Sequence, residues 1–273
     1  MKAIDIHSHF MSMADWVDPA RTVDRIILGN PEKEIHRVLV TWISSFEAVK
    51  AAIEREFDML ITHEPTFWVH GSEIERIESW ETASLKKKFA LKKRRLIEEN
   101  GLVVLRNHDV WDRMPEIGIP WAWARFLDLG EEPVVIGAKG YQHRYDIEPL
   151  SLDALAKKIA EKTATLGEPT VQVIGDGALQ VSKIGIGTGC ACDIYAYREM
   201  GCDVSIVCDD GSSHWSGIQY AIDNNHPVIR VNHGTSEEPG MVTLTKYIND
   251  HLPVKAEHLP HRSSFRLVSA KPE

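Results

Sequence analysis

The sequence predicts an α/β fold of two lobes with mainly parallel sheets. Short apolar runs without alternation, the mark of strands covered on both faces, recur along the chain, and amphipathic stripes fall between them. The length of 273 residues sets the number of lobes, because at about 150 residues per domain it comes close to two.

The strands are expected at residues 38–40, 59–62, 102–106, 171–174, 183–186, 204–207 and 228–231. The helices are expected at 46–56, 84–100, 152–165, 192–200, 216–224 and 240–251. Asn100-Gly101 and Met200-Gly201 supply stop signals for two of them. Gly130, Gly137 and Gly140 interrupt the pattern between Leu129 and Leu150, so the lobes are expected to span 1–135 and 136–273.

Composition narrows the function. Lys and Arg number 31 against 40 Asp and Glu, and a net charge of −9 argues against general nucleic-acid binding. No apolar run approaches the roughly 18 residues that span a bilayer. The N-terminus lacks a basic segment followed by an apolar one, so export is not expected. The four cysteines crowd into residues 190–208 instead of forming a staple framework, which suits a reducing cytoplasm.

Three strands end alike. Residues 59–62 run into His63-Glu64, residues 102–106 into Asn107-His108-Asp109 with Asp112 following, and residues 228–231 into Asn232-His233 with Glu237 four residues on. The carboxyl ends of strands are where α/β sheets bind ligands. Imidazole with carboxylate suits Zn²⁺, Fe²⁺ or Mn²⁺. Six such groups could hold two ions at the roughly 3.5–4 Å separation of two-metal hydrolytic sites. Any one of these histidines alone is better read as a hydrogen-bonded rim residue; three coincidences favour metal.

The stretches Ile61-Thr62-His63-Glu64-Pro65-Thr66-Phe67-Trp68, Asn107-His108-Asp109-Val110-Trp111-Asp112 and residues 231–241 resemble the Nif-three-like proteins (NGG-one-interacting factor three). This is a dinuclear-metal family described as GTP cyclohydrolase type 2-like, and the resemblance runs from about Thr22 to Phe265. It implies two related α/β lobes with the metals in the cleft between them, and a homohexameric ring. It also implies His63, His108, Asp112, His233 and Glu237 as ligands of two divalent ions. Glu64 stands where the family has a second histidine and is carried as a ligand; the added negative charge implies either a preference for harder ions or one weaker site.

Asp209, Asp210 and His214 follow the strand at 204–207 and should reach the same edge, so Asp209 and His214 are candidates for moving protons. The reading is a cytoplasmic metal-dependent hydrolase of a small, nucleotide-derived substrate. The alternative is a non-catalytic metal- or partner-binding regulatory protein. A third is an amidohydrolase barrel opened by His7 and His9, against which Ala3, Ile6, Phe10 and Met13 recur as a helical stripe.

Other signals read more plainly. Cys190, Cys192, Cys202 and Cys208 do not match a zinc framework, and three of them read as buried thiols. Gly185-x-Gly187-x-Gly189 permits phosphate binding, but tight strand-to-helix packing explains it as well. The basic run from Lys86 to Arg95 reads as the solvated face of a helix whose apolar side is Leu85, Phe89 and Leu96. Trp111 and Trp215 neighbour the candidate site and could stack on a planar ligand, as could Trp121 and Trp123, though packing is the simpler role for most of them.

Overall fold

The computed structural model describes residues 1–268 and 270. The chain forms two compact units, Met1–Gly118 with Gly240–Pro260, and Ile119–Pro239 with the residues from His261 onward. The division falls at Gly118, ahead of the expected 135/136, and the first unit is discontinuous. Gly130, Gly137 and Gly140 punctuate an antiparallel sheet edge inside the second unit instead of separating the lobes.

The first unit opens with α1 (Ala3–Ser12), which buries Ala3, Ile6 and Phe10. His7 and His9 are therefore helical. His7 Nε2 lies 3.1 Å from the Asp24 carbonyl, and His9 Nε2 lies 2.9 Å from Tyr247 Oη. With this helix and two separate sheets, the amidohydrolase barrel is set aside. There follow β1 (Arg25–Leu28), β2 (Arg37–Ile43), α2 (Phe46–Glu54), β3 (Met59–Glu64), α3 (Glu73–Ser79), α4 (Leu85–Glu99) and β4 (Val103–Arg106). Ser45 and Ser84 cap α2 and α4 by accepting from the Ala48 and Lys87 amides at 3.0 and 3.2 Å. Each such cap is worth about 1 kcal/mol.

α4 turns a different face inward from the one expected. Ala90, Lys93 and Ile97 are buried, whereas Leu85 and Phe89 are 70% and 53% exposed. Lys93 can face inward because its ammonium donates to the Ser44 and Thr66 carbonyls, both at 2.8 Å. Hydrogen bonding offsets the cost of burying the charge, and apolar periodicity carries no sign of it.

The second unit contains α5 (Ile119–Phe126), β5 (Val135–Gly137), β6 (Gln142–Ser151), α6 (Leu152–Ala164), β7 (Gln172–Ile174), β8 (Gln180–Ile186), α7 (Ile194–Glu199), β9 (Val204–Cys208), α8 (Gln219–Asp223) and β10 (Val228–Val231). α9 (His233–His251) leads back into the first unit, which closes with β11 (Lys255–His258).

The first sheet has the order β1-β4-β3-β2-β11, parallel except for β1. The second has the order β5-β6-β8-β9-β10-β7, with β8, β9 and β10 parallel and antiparallel strands at both flanks. Each sheet has its own apolar core. In the first, Leu39, Leu60 and Val104 pack with Val49 and Ile97; in the second, Ile184, Ile206 and Ile229 pack with Leu155 and Tyr197. A fully buried side chain of this kind contributes about 1.5–3 kcal/mol. These cores hold the strand ends that carry the histidines.

Candidate metal-binding clusters

In the first unit, β3 and β4 run parallel with Thr62 opposite Arg106. Their carboxyl ends therefore bring His63 and His108 together, with rings stacked 4.4 Å apart at 12°. His63 Nδ1 lies 3.3 Å from the Asn107 carbonyl. A proton on Nδ1 would satisfy that carbonyl and leave the Nε2 lone pair for a ligand; Nε2 sits 3.4 Å from Asp112 Oδ1. His108 Nδ1 is 3.0 Å from Asp109 Oδ1 and 3.2 Å from Asp112 Oδ2.

His63, Glu64 and His108 offer ligand atoms within 4.8 Å of one another, and so do His108, Asp109 and Asp112. These clusters could hold metal ions. Asp109 was seen in the sequence beside His108, but the implied ligand set passed it over. Burial alone would lower the pKa of His108, yet Asp112 and Asp109 outweigh it and raise it to about 9. Asp109 is held below the usual carboxylate range because hydrogen bonds from His108 and Thr22 overcome its burial. A field that makes an imidazole this basic also favours a divalent cation.

Two supporting groups escaped the sequence reading. The buried Asp24 carboxylate accepts the backbone amides of His108, Asp109 and Val110 at 2.6, 3.0 and 2.8 Å, which fixes the turn carrying His108. Burial raises the Asp24 pKa despite these bonds. Arg106, fully buried, donates Nε to the His63 carbonyl at 2.9 Å and sets Nη2 3.7 Å from Glu64 Oε2. Its cation answers the charge that a carboxylate brings at position 64. Asp24 lies in a polar stretch and Arg106 ends an apolar run, so neither stood out.

In the second unit, His233 and Glu237 stand one turn apart on α9, with Nε2 and Oε1 separated by 3.0 Å. Asp209 Oδ1 accepts the His233 backbone amide at 2.6 Å, and Asp210 Oδ2 is 3.9 Å from His233 Nδ1. Gly189 has φ +52°, and a Cβ there would lie 2.9 Å from His233 Nε2 and 3.1 Å from Glu237 Oε1. Close packing thus explains the end of the glycine-rich turn. A Cβ at Gly185 would likewise meet the Tyr197 ring at 2.7 Å.

His214 is exposed on a π-helical turn (His214–Ile218), and no side-chain hydrogen bond of it is found among the described residues. Trp111 is buried and donates to the Gly240 carbonyl at 2.9 Å, so it packs. Trp121 and Trp123 are buried too, while Trp215 is 84% exposed. Cys192, Cys202 and Cys208 are buried thiols, and Cys190 is exposed.

The fold and these side chains define a class: two-unit α/β proteins whose strand and helix ends gather histidines with carboxylates. A model of the family Duf34/NIF3 (NGG1p interacting factor 3) matches residues 1–264, and the chain belongs to that family. The structure is similar to the hypothetical protein SA1388 of Staphylococcus aureus, with a TM-score of 0.78 and 16% identity over 98% of this chain and 99% of that one. Reduced HcgD from Methanocaldococcus jannaschii gives 0.72 and 19% over 95% and 98%. A Bacillus cereus protein related to NIF3 gives 0.72 and 13% over 98% and 99%. At such identities the likeness shows the fold. No curated protein matches the chain.

Proposed function

We propose that the chain is a metal-dependent hydrolase of a small, nucleotide-derived substrate, of the GTP cyclohydrolase type 2-like kind. His63, Glu64, His108, Asp112, His233 and Glu237 serve as ligands of two divalent ions, Zn²⁺, Fe²⁺ or Mn²⁺. The observation that supports this best is the gathering of His63, Glu64 and His108, with Asp112 against both rings. The donor set is of the right chemistry, and its histidines are oriented by Asn107 and Asp109.

Bound ions would lower the pKa of a water and polarise the attacked centre. The chain's own residues do the rest. Asp24 and Arg106 hold the strand ends, and Asp209 fixes the start of α9 through the His233 amide. Asp209 and His214 are the proposed proton carriers. The protein is further proposed to be cytoplasmic and to form a homohexameric ring, as the family resemblance implies.

The test is elemental analysis of protein purified without added metal, followed by a hydrolysis screen of nucleotides with the metal found. Two ions per chain are expected, together with activity that His63→Ala removes. No ion after soaking overturns the metal reading. Two ions without turnover leave the non-catalytic regulatory role.

A further inference from the structure

We propose that the groove between α2 and α4 binds a small amphipathic anion, an aromatic or alkyl body bearing one carboxylate, sulfonate or phosphate. The groove encloses about 420 Å³, within the range of small-molecule sites. Phe46, Phe89 and Leu96 form its apolar surface, and Lys50, Lys92 and Arg95 supply charge.

The charge pattern selects the ligand. Residues 86–95 hold seven basic side chains and no acidic one, in a chain of net charge −9. Of the five other basic side chains of this run, all but the exposed Lys88 are engaged elsewhere. Lys87 donates to the Glu78 and Trp80 carbonyls, Lys86 lies over the Trp80 ring, Lys93 is bound by two carbonyls, and Arg94 pairs with Glu98 and Glu78. Among the described residues, Lys50, Lys92 and Arg95 have no ion pair, and all three line the groove beside a single carboxylate, Glu99. Lys92 Nζ lies 5.9 Å above the Phe46 ring. A cationic rim around an apolar floor rewards a ligand that is charged at one end only.

Size favours a small molecule over a peptide. α2 contributes one turn, Phe46 and Lys50, about 6 Å of wall. That length seats a ring system or a medium alkyl chain. The pattern of α4 also fits this reading: Phe89 is exposed because the inward face is filled by Ala90, Lys93 and Ile97.

The probe is 8-anilinonaphthalene-1-sulfonate, an aromatic body with one anionic group, titrated by fluorescence into the full chain. Saturable binding at one site per chain is expected, with displacement by decanoate. The double variant Lys92→Glu/Arg95→Glu should weaken binding at least tenfold, and Phe89→Ser should do the same. Both alter exposed side chains, and unchanged thermal melts would confirm the fold. The neutral analogue N-phenyl-1-naphthylamine should bind at least tenfold more weakly. Equal binding by the neutral analogue, or by the charge-reversed variant, overturns the proposal, as does the absence of saturation. Sedimentation with phosphatidylserine vesicles without binding of monomeric probe would assign the face to a membrane instead. A mass increase in light scattering that tracks loss of probe binding would assign it to a second copy.

Discussion

The two units present their histidines on different scaffolds. In the first, the candidate ligands come from two adjacent strand ends, and buried groups brace them: Asp24 under the turn at His108, and Arg106 between His63 and Glu64. In the second, His233 and Glu237 share one helical turn, and the brace is the exposed Asp209 at a single amide. The first arrangement spends several buried polar groups on rigidity. The second relies on helix periodicity, which sets residues i and i+4 side by side without further help.

The contrast can be broken by substitution. The largest effect is expected from Arg106→Met, which strips the buried Glu64 of its cation and should cost about 3–5 kcal/mol in urea unfolding. A loss below about 1 kcal/mol would mean that Glu64 needs no partner. His63→Ala should weaken metal retention on the order of 100-fold in competition with a chelator, more than His233→Ala, because the first cluster offers more donors on a stiffer frame. Equal losses would erase the difference between the two scaffolds.

Asp24→Ala leaves three backbone amides without their acceptor and should cost about 1–3 kcal/mol, while Asp209→Ala frees one amide at an exposed end and should cost less than about 1 kcal/mol. A separate effect concerns pH. Burial raises Glu73 from 4.5 to about 7, so the folded chain holds a proton that the unfolded chain has already released. Stability contributed by this group is full below about pH 4.5 and falls as pH rises to about 7, by on the order of 3 kcal/mol. Glu73→Gln should flatten the unfolding free energy across that window, and a slope that persists would place its origin elsewhere.

Much of the sheet core was legible because strands covered on both faces are mostly apolar, as β3, β4, β9 and β10 are apart from Thr62, Arg106, Ser205, Arg230 and the His63-Glu64 end of β3. β6 was missed because it mixes polar and apolar residues, burying Gln142 and His143 while Asp146 and Glu148 are exposed, and β1 and β11 because they are short and mixed. The start of α9 was placed at Gly240 instead of His233, since Gly234 and Pro239 disguise its first turns. The strand-end histidines could be read because position after an apolar run is a one-dimensional signal. Their supports could not, because Asp24 lies 84 residues from His108 and nothing local links them.

The discontinuity of the first unit has a consequence for biosynthesis. β2 pairs on one side with β3, soon after it in sequence, but on the other side only with β11, where Val40 meets His258. At about 5–20 residues per second, that second neighbour leaves the ribosome roughly 10–40 s later. Throughout this interval a nascent strand shows an open hydrogen-bonding edge, the kind that captures other chains. Arg37 on β2 and Arg55 after α2, which both pair with Glu257 once the sheet is complete, put positive charge beside that edge while it waits.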